Sequence, residues 1–451
     1  MVPGIGAQSE YNLSTSPSGG VEIDPEMLYR LAAECLAQAE RQLQQRGLRA
    51  AAVASAGFWH SFLGVDASGR PVTPVMHLLD TRATAEVRWL KSQLDPRATQ
   101  SRVGCVFHTS YWPARLLWIK KNRPEAWLQA AQWISFGDFV SRRLIGHPSE
   151  STSMASASGL WDQNRNDYDA EILELLGLRR DQLADPDGMD QPVESSGRRW
   201  FPMIGDGAAN NLGAGCMSPD RFGLMVGTTG AMRAVLPAER LEIPWGGWCY
   251  RVDRRRFIVG GALSDGGKVF EWITEKFRGL DPGPEVEAQL AQMTPGDHGL
   301  TVLPLFAGER SPNWNADARA AITGLSLHTR PIDILRAALE SVAARFRMVY
   351  DILVERVGEP EAVVASGRAL LRSPAWTQMM ADSLGRPVVV CAEEETSSRG
   401  AALLALERLG QAPLESFRAA TGDIFEPVPS HLAAFAEMLD KQKELYGLLY
   451  C

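Results

Sequence analysis

Asp206 stands between two glycines in Gly205-Asp206-Gly207-Ala208-Ala209. Flanking glycines leave a carboxylate uncrowded, so a substrate hydroxyl can approach within hydrogen-bond distance, as a general base requires. The same acid could instead cap a small-residue helix over AANNLGAG. About twenty residues on, LMVGTTGA runs from apolar residues into Gly227-Thr228-Thr229-Gly230. A glycine and hydroxyl turn after a strand offers N–H donors to a phosphate, although a plain β-turn reads the same way. A third stretch, Gly260-Gly261-Ala262-Leu263-Ser264-Asp265-Gly266-Gly267, precedes the amphipathic KVFEWITEKF. Glycines before a helix make an anion platform, or simply let small residues pack tightly. His60, in SAGFWHSFLG, ends a strand-like run and suits either a binding role or a structural one. Asp80 and Arg82 place an acid and a guanidinium two residues apart, a pair that contributes little when it lies on a surface. Gly4-x-Gly6 lacks a third glycine, a preceding strand and a following helix, which excludes a dinucleotide fingerprint.

These residues need elements to position them. Asp24-Pro25 predicts a capped helix start before PEMLYRLAAECLAQAERQLQQR. From Pro331 onward, Leu335, Leu339, Val342, Phe346, Val349, Leu353 and Val357 recur at steps of three and four, the mark of a helix with a buried face. AAVASAG, RFGLMVGTTG and AVVASG read as short strands ending in small residues, and WCYRVDRRRFIVGGAL as a hairpin turning at Asp253 to Arg255. Strands alternating with helices imply an α/β architecture, in which ligands bind beyond the carboxyl ends of strands. DPDGMDQPVESSGRR, between residues 185 and 199, reads as a loop, and a further helix is expected to begin near Gly400.

The length of 451 residues predicts two domains, 1–220 and 221–451. An apolar share of 45% and a charged share of 22% are those of an ordinary globular protein. A net charge of −8 speaks against nucleic acid or an anionic membrane surface as the main partner. Six cysteines without a C-x-x-C pair predict reduced thiols, no zinc site and a cytoplasmic setting. No apolar run approaches the ~20 residues that span a bilayer.

In order, SAGFWHSFLGVDASGRPVTPV, LDTRA, GDGAANNLGAG, VGTTGAM, GGALSDGG, GERSPNWNADARAAITGL and PIDILRAALESVAARF resemble the FGGY carbohydrate kinases over almost the whole chain. FWHSFLGVD, SYWPARLLW, TSMASASGLWD and GDGAANNLGAGC are most similar to gluconokinases. The resemblance implies two actin-like, ribonuclease-H-type domains around a cleft, and transfer of a phosphoryl group from Mg²⁺-ATP to a sugar or sugar-acid hydroxyl. It makes Asp206 the catalytic base, and sets Trp59, His60, Asp80 and Arg82 against the sugar. Gly227, Thr228, Thr229 and Gly230 become the second phosphate loop, with Gly260, Gly261, Gly367 and Arg368 beside the nucleotide. No protein metal ligand is assigned, and a homodimer is compatible with the resemblance.

The chain also departs from the family pattern. Leu78 stands where a tryptophan is usual, Arg368 where a second glycine is usual, and Trp112 and Arg115 depart from the family's first signature. The family's first phosphate loop, an Asp-x-Gly-Thr turn between two strands, has no counterpart before Asp24. The expectation is therefore a first domain without its opening hairpin and with an uncovered sheet edge. The alternative reading on these grounds is a non-catalytic sugar-binding relative, serving as a sensor or regulatory partner.

Overall fold

The computed structural model describes residue 2 and residues 4–451. Asp24 accepts hydrogen bonds from the backbone N–H groups of Glu26 and Met27, and Pro25 opens the helix Pro25–Gln45, as its sequence predicts. The apolar ladder after Pro331 becomes the helix Pro331–Val357, with Leu335, Leu339, Val342, Phe346, Val349 and Leu353 fully buried. This helix is buried on more than its apolar face. Arg345 pairs with Glu309, and Glu340 binds both Arg336 and His298, so each buried charge keeps a partner.

That helix packs on a seven-stranded sheet whose order is Trp248–Asp253, Arg256–Leu263, Gly230–Pro237, Arg221–Val226, Ala362–Ser366, Val388–Cys391 and Thr421–Phe425. The first three strands form antiparallel pairs with their neighbours, and Ala362–Ser366 lies parallel between Arg221–Val226 and Val388–Cys391. The predicted hairpin is present, with its turn at Arg254 and Arg255. In the first half of the chain an antiparallel sheet runs Ser14–Thr15, Val21–Ile23, Val75–Met76, Phe62–Val65 and Gln132–Ser135.

Two short parallel pairings bring distant segments of the first half together. Ala52–Val53 lies beside Arg198–Trp200, and Ala56–Gly57 beside Ile204–Gly205. Parallel pairing sends both strands toward the same edge, so the turn at Trp59 and His60 emerges next to Asp206. The run AAVASAG is thus two strands, not one. The stretch 185–199 contains the hairpin Val193–Ser195 and Arg198–Trp200, where the sequence reads as a loop. Ser196 and Gly197 both take positive φ, 52° and 69°, as a two-residue hairpin turn requires. Polar residues form strands there because Ala52–Val53 supplies the partner.

The helix Asp206–Gly213 crosses the helix Thr396–Arg408, which begins four residues before the expected Gly400. Asn210 donates to the Thr396 hydroxyl at 2.7 Å, and Arg399 to the Gly213 carbonyl at 2.7 Å. All six cysteines are free. Among the described residues no helix is long and apolar enough to cross a membrane.

Candidate active site

Asp206 is the first residue of its helix, and Gly205, which has no side chain to offer, occupies the capping position. The capping role open to Asp206 in the sequence is therefore not what it does. One carboxylate oxygen accepts the Gly207 N–H at 2.7 Å. The two flanking glycines are required by Trp59. A Cβ at Gly205 would lie 1.8 Å from the indole nitrogen, and one at Gly207 2.4 Å from the ring. Trp59 in turn donates its indole N–H to the Ser153 carbonyl at 2.9 Å, and the Ser153 hydroxyl accepts the Gly205 N–H at 3.1 Å. The carboxylate is open to solvent, yet surrounding protein crowds it. That crowding raises its pKa, opposed by the Gly207 N–H and the Arg233 charge.

His60 takes a positive φ of 68°, which turns its ring inward from the end of the strand-like run. Its Nδ1 lies 2.7 Å from the Ala157 carbonyl. A carbonyl only accepts, so Nδ1 carries the proton and Nε2 is left as an acceptor. Burial pushes the imidazole down to about 3, with Arg115, Arg310 and His108 adding to the effect. Tyr111 and Tyr250 meet the His60 ring edge-on at 5.1 and 5.4 Å, and their hydroxyls share a hydrogen bond of 2.6 Å. Beneath them Arg115 is fully buried and donates to the carbonyls of Met76, His77, His60 and Ser110. His108, also near about 3, lies in the same field of Arg310 and Arg115.

These two histidines make stability pH-dependent in a defined direction. Each has a folded pKa far below the ordinary 6.5, so the unfolded chain binds protons that the folded chain refuses. Stability is full above pH 6.5 and declines as the pH falls from there toward about 3. The expected loss by pH 5 is about 2 kcal/mol per histidine. Urea unfolding at pH 7.5 and pH 5 checks it, and equal midpoints would contradict the buried neutral state.

Asp80 and Arg82 are committed to each other and to the scaffold. Asp80 is fully buried, accepts the Val21 N–H at 3.0 Å, and receives Arg82 Nε on both oxygens. Arg82 also reaches Glu22 at 2.5 Å and stacks over Trp118. The pair pins the hairpin before the first helix to the wall that holds Arg115. Trp59 likewise serves as the bed under Asp206.

On the other side, Thr228 and Thr229 are exposed at the end of the strand Arg221–Val226, with Gly227 and Gly230 on either side. The loop is braced by the start of the helix Gly267–Lys276. Gly266 N–H donates to the Thr228 carbonyl at 3.2 Å and Gly267 N–H to the Gly227 carbonyl at 2.7 Å. Gly230 is glycine because Phe346 would lie 2.4 Å from its Cβ. The loop opens into a cleft of about 980 Å³, lined also by Arg368, Arg372 and Trp376, at the upper end of the usual volume for a small-molecule site. Gly367 has a φ of 90°, and a Cβ there would sit 2.5 Å from the Val226 carbonyl, so the chain turns tightly against the loop.

Gly260 and Gly261 are placed differently from the sequence expectation. They lie inside the strand Arg256–Leu263, closed off by Trp248 and Val349, whose atoms would stand 2.5 and 2.6 Å from an added Cβ. The glycines that touch the phosphate-type loop are Gly266 and Gly267. Sequence reasoning also passed over Arg233, Arg310, Tyr111 and Tyr250. Arg233 had a visible signal, a lone cation in the otherwise apolar strand Gly230–Pro237. Among the described residues no group of three or more His, Cys, Asp or Glu side chains is placed to hold a metal ion.

Residues 5–187 match the FGGY family of carbohydrate kinases, N-terminal domain, and residues 224–407 match its C-terminal domain. The gluconokinase of Bacillus subtilis (strain 168) is 26% identical over 431 residues, which cover 91% of this chain and 83% of that one. The glycerol kinase of Polaromonas sp. is 27% identical over 440 residues, covering 88% and 84%. In fold, the chain is similar to the crystal structure of a gluconate kinase from Lactobacillus acidophilus, with a TM-score of 0.89, 24% identity, and coverage of 98% and 92%.

Proposed function

The chain belongs to the FGGY family of carbohydrate kinases, ATP-dependent phosphotransferases of actin-like, ribonuclease-H-type fold, and on that premise we propose that it phosphorylates a sugar acid, gluconate. The observation that carries the reading is the position of Asp206. Its carboxylate is exposed at the start of the helix that packs on Trp59, beside the aromatic pocket around His60. Gluconate is chosen over other sugars on the likeness to relatives named gluconokinase.

In this reading His60 Nε2 accepts a hydrogen bond from one substrate hydroxyl and orients the chain of the sugar. Asp206 takes the proton of the attacking hydroxyl as its oxygen bonds to the γ-phosphorus. The bond from the γ-phosphorus to the bridging oxygen breaks, and ADP leaves with that electron pair. Exposed Thr228 and Thr229 hydroxyls and nearby backbone N–H groups hold the distal phosphates. Mg²⁺ would enter with the phosphates of ATP and neutralise charge on them. Domains 1–220 and 221–451 carry the sugar and nucleotide halves, and the free thiols suit a cytoplasmic setting.

Purified protein is expected to release ADP with gluconate, and to do so little or not at all with xylulose or glycerol. Release with neutral sugars only would overturn the choice of substrate. A second reading, a non-catalytic sugar-binding relative, draws support from Arg368, which puts a long side chain into the nucleotide cleft. Binding of gluconate by calorimetry without ADP release would favour it.

A further inference from the structure

Arg233 is a cation in a place that needs a reason. It sits on the strand Gly230–Pro237 and is 8% exposed. Its neighbours across the sheet are Gly223 on one side and Gly260 on the other. Directly opposed residues share a face, and above these glycines stand Asn211 and Trp248, so Arg233 lies between them under close cover. Its side chain reaches the start of the helix Asp206–Gly213, where a Cβ on Gly207 would lie 3.2 Å from Arg233 Nε. That Nε is buried without a hydrogen-bond partner. Arg310 Nε is buried and unpartnered as well.

Arg310 adjoins Ser311, whose N–H donates to the Ala262 carbonyl at 2.9 Å, so it flanks the strand Arg256–Leu263 that pairs with the strand of Arg233. Arg310 disfavours the charge on Arg233, and both lie in the field of Tyr250. Arg310 also acts on His60, His108 and Tyr111, the groups of the aromatic pocket. Asp206 is the carboxylate that compensates Arg233. Both histidines are neutral, and Asp80 is spent on Arg82. Arg233 and Arg310 are thus two guanidinium groups with buried, unpartnered Nε atoms in a protein whose net charge is −8. Leaving a buried cation short of a partner is costly, and an arriving carboxylate removes that cost with planar, charge-assisted hydrogen bonds.

We propose that Arg233 and Arg310 form the subsite that takes the carboxylate of the sugar-acid substrate. This rests on the function proposed above and names the side chains that select an acid over a neutral polyol. Holding the carboxylate there leaves the hydroxyl end of the substrate facing Asp206 and the Thr228-Thr229 loop. The transferred phosphoryl group is the competing anion, and steady-state kinetics separate the two.

The test compares gluconate with glucitol, its neutral analogue of equal length, in the wild type and in Arg233→Gln, Arg233→Lys and Arg310→Gln. Arg233→Gln is expected to raise the gluconate KM at least about tenfold, several times more than it raises the glucitol KM, with the ATP KM little moved. Arg233→Lys keeps the charge and is expected to recover part of the selectivity. Arg310, being more exposed, provides a substitution less prone to misfolding, with the same loss of selectivity expected. An ATP KM that rises in step with the gluconate KM would overturn the subsite and reassign the guanidinium groups to phosphate. Equal losses for gluconate and glucitol, or unchanged selectivity in folded Arg310→Gln, would overturn the subsite. If the wild type uses gluconate and the variants discriminate as well as it does, the subsite alone falls. If the wild type phosphorylates only neutral sugars, the proposed function falls and the subsite with it.

Discussion

Asp206→Asn is expected to lower kcat by about 10²–10⁴-fold and to leave sugar binding nearly intact. The amide keeps the shape and one acceptor oxygen, so the 2.7 Å bond from the Gly207 N–H survives and the helix start is undisturbed. What disappears is the lone pair able to take a proton, worth about 4 kcal/mol for a thousandfold effect. Rate and binding must be measured separately, by ADP release and by calorimetry with gluconate. Retained turnover would remove Asp206 from the chemistry. Loss of both binding and turnover would make it a structural residue. The wild type carries a matching pH signature. Crowding by surrounding protein raises Asp206 above its ordinary 3.8, and the base works only when deprotonated. Activity therefore falls as the pH drops through the raised value, and the acid limb of kcat/KM is shifted upward from the ordinary 3.8.

Gly400→Ala is the second large effect, on folding instead of chemistry. In an isolated helix this change stabilises by about 1 kcal/mol, because alanine restricts the unfolded chain and favours the helix. Here the added Cβ would lie 1.9 Å from the Ala209 carbonyl oxygen and 2.8 Å from the Gly213 nitrogen. These are backbone atoms of the helix that carries Asp206, and they have no rotamer to swing away. Overpacking of this sort costs about 1–3 kcal/mol or more, so overlap outweighs propensity and the sign is destabilising. The expected result is a lower Tm together with weaker activity, since the helix Asp206–Gly213 must shift to make room. A raised Tm would show that the two helices are packed less closely than the structure has them.

Features written in short stretches were legible in advance. Asp24 and Pro25 announce the helix Pro25–Gln45, because a cap and a proline act within one turn. The three-and-four spacing after Pro331 announces the long helix, although Arg336, Glu340 and Arg345 inside the buried surface do not follow from it. Their burial depends on His298 and Glu309, which lie far away in the chain. The hairpin 193–200 was missed for the same reason. Its polar residues have weak strand preference, and pairing with Ala52–Val53 decides the matter.

By itself the sequence determined the α/β character, the order of motifs that marks the family, the glycine and threonine turn at 227–230, and Asp206 as the acid to test. Those depend on residue type and near-neighbour spacing, which a linear reading contains. Tertiary structure alone decided which glycines stand against the Thr228-Thr229 loop. Gly260 and Gly261 turned out to make room for Trp248 and Val349, while Gly266 and Gly267 meet the loop. It also decided which charges are free. Asp80 and Arg82 neutralise each other, whereas Arg233 is left facing Asp206 and Arg310. Whether a charge is spent or available depends on what stands within a few ångströms of it, and in this fold those neighbours come from distant segments of the chain.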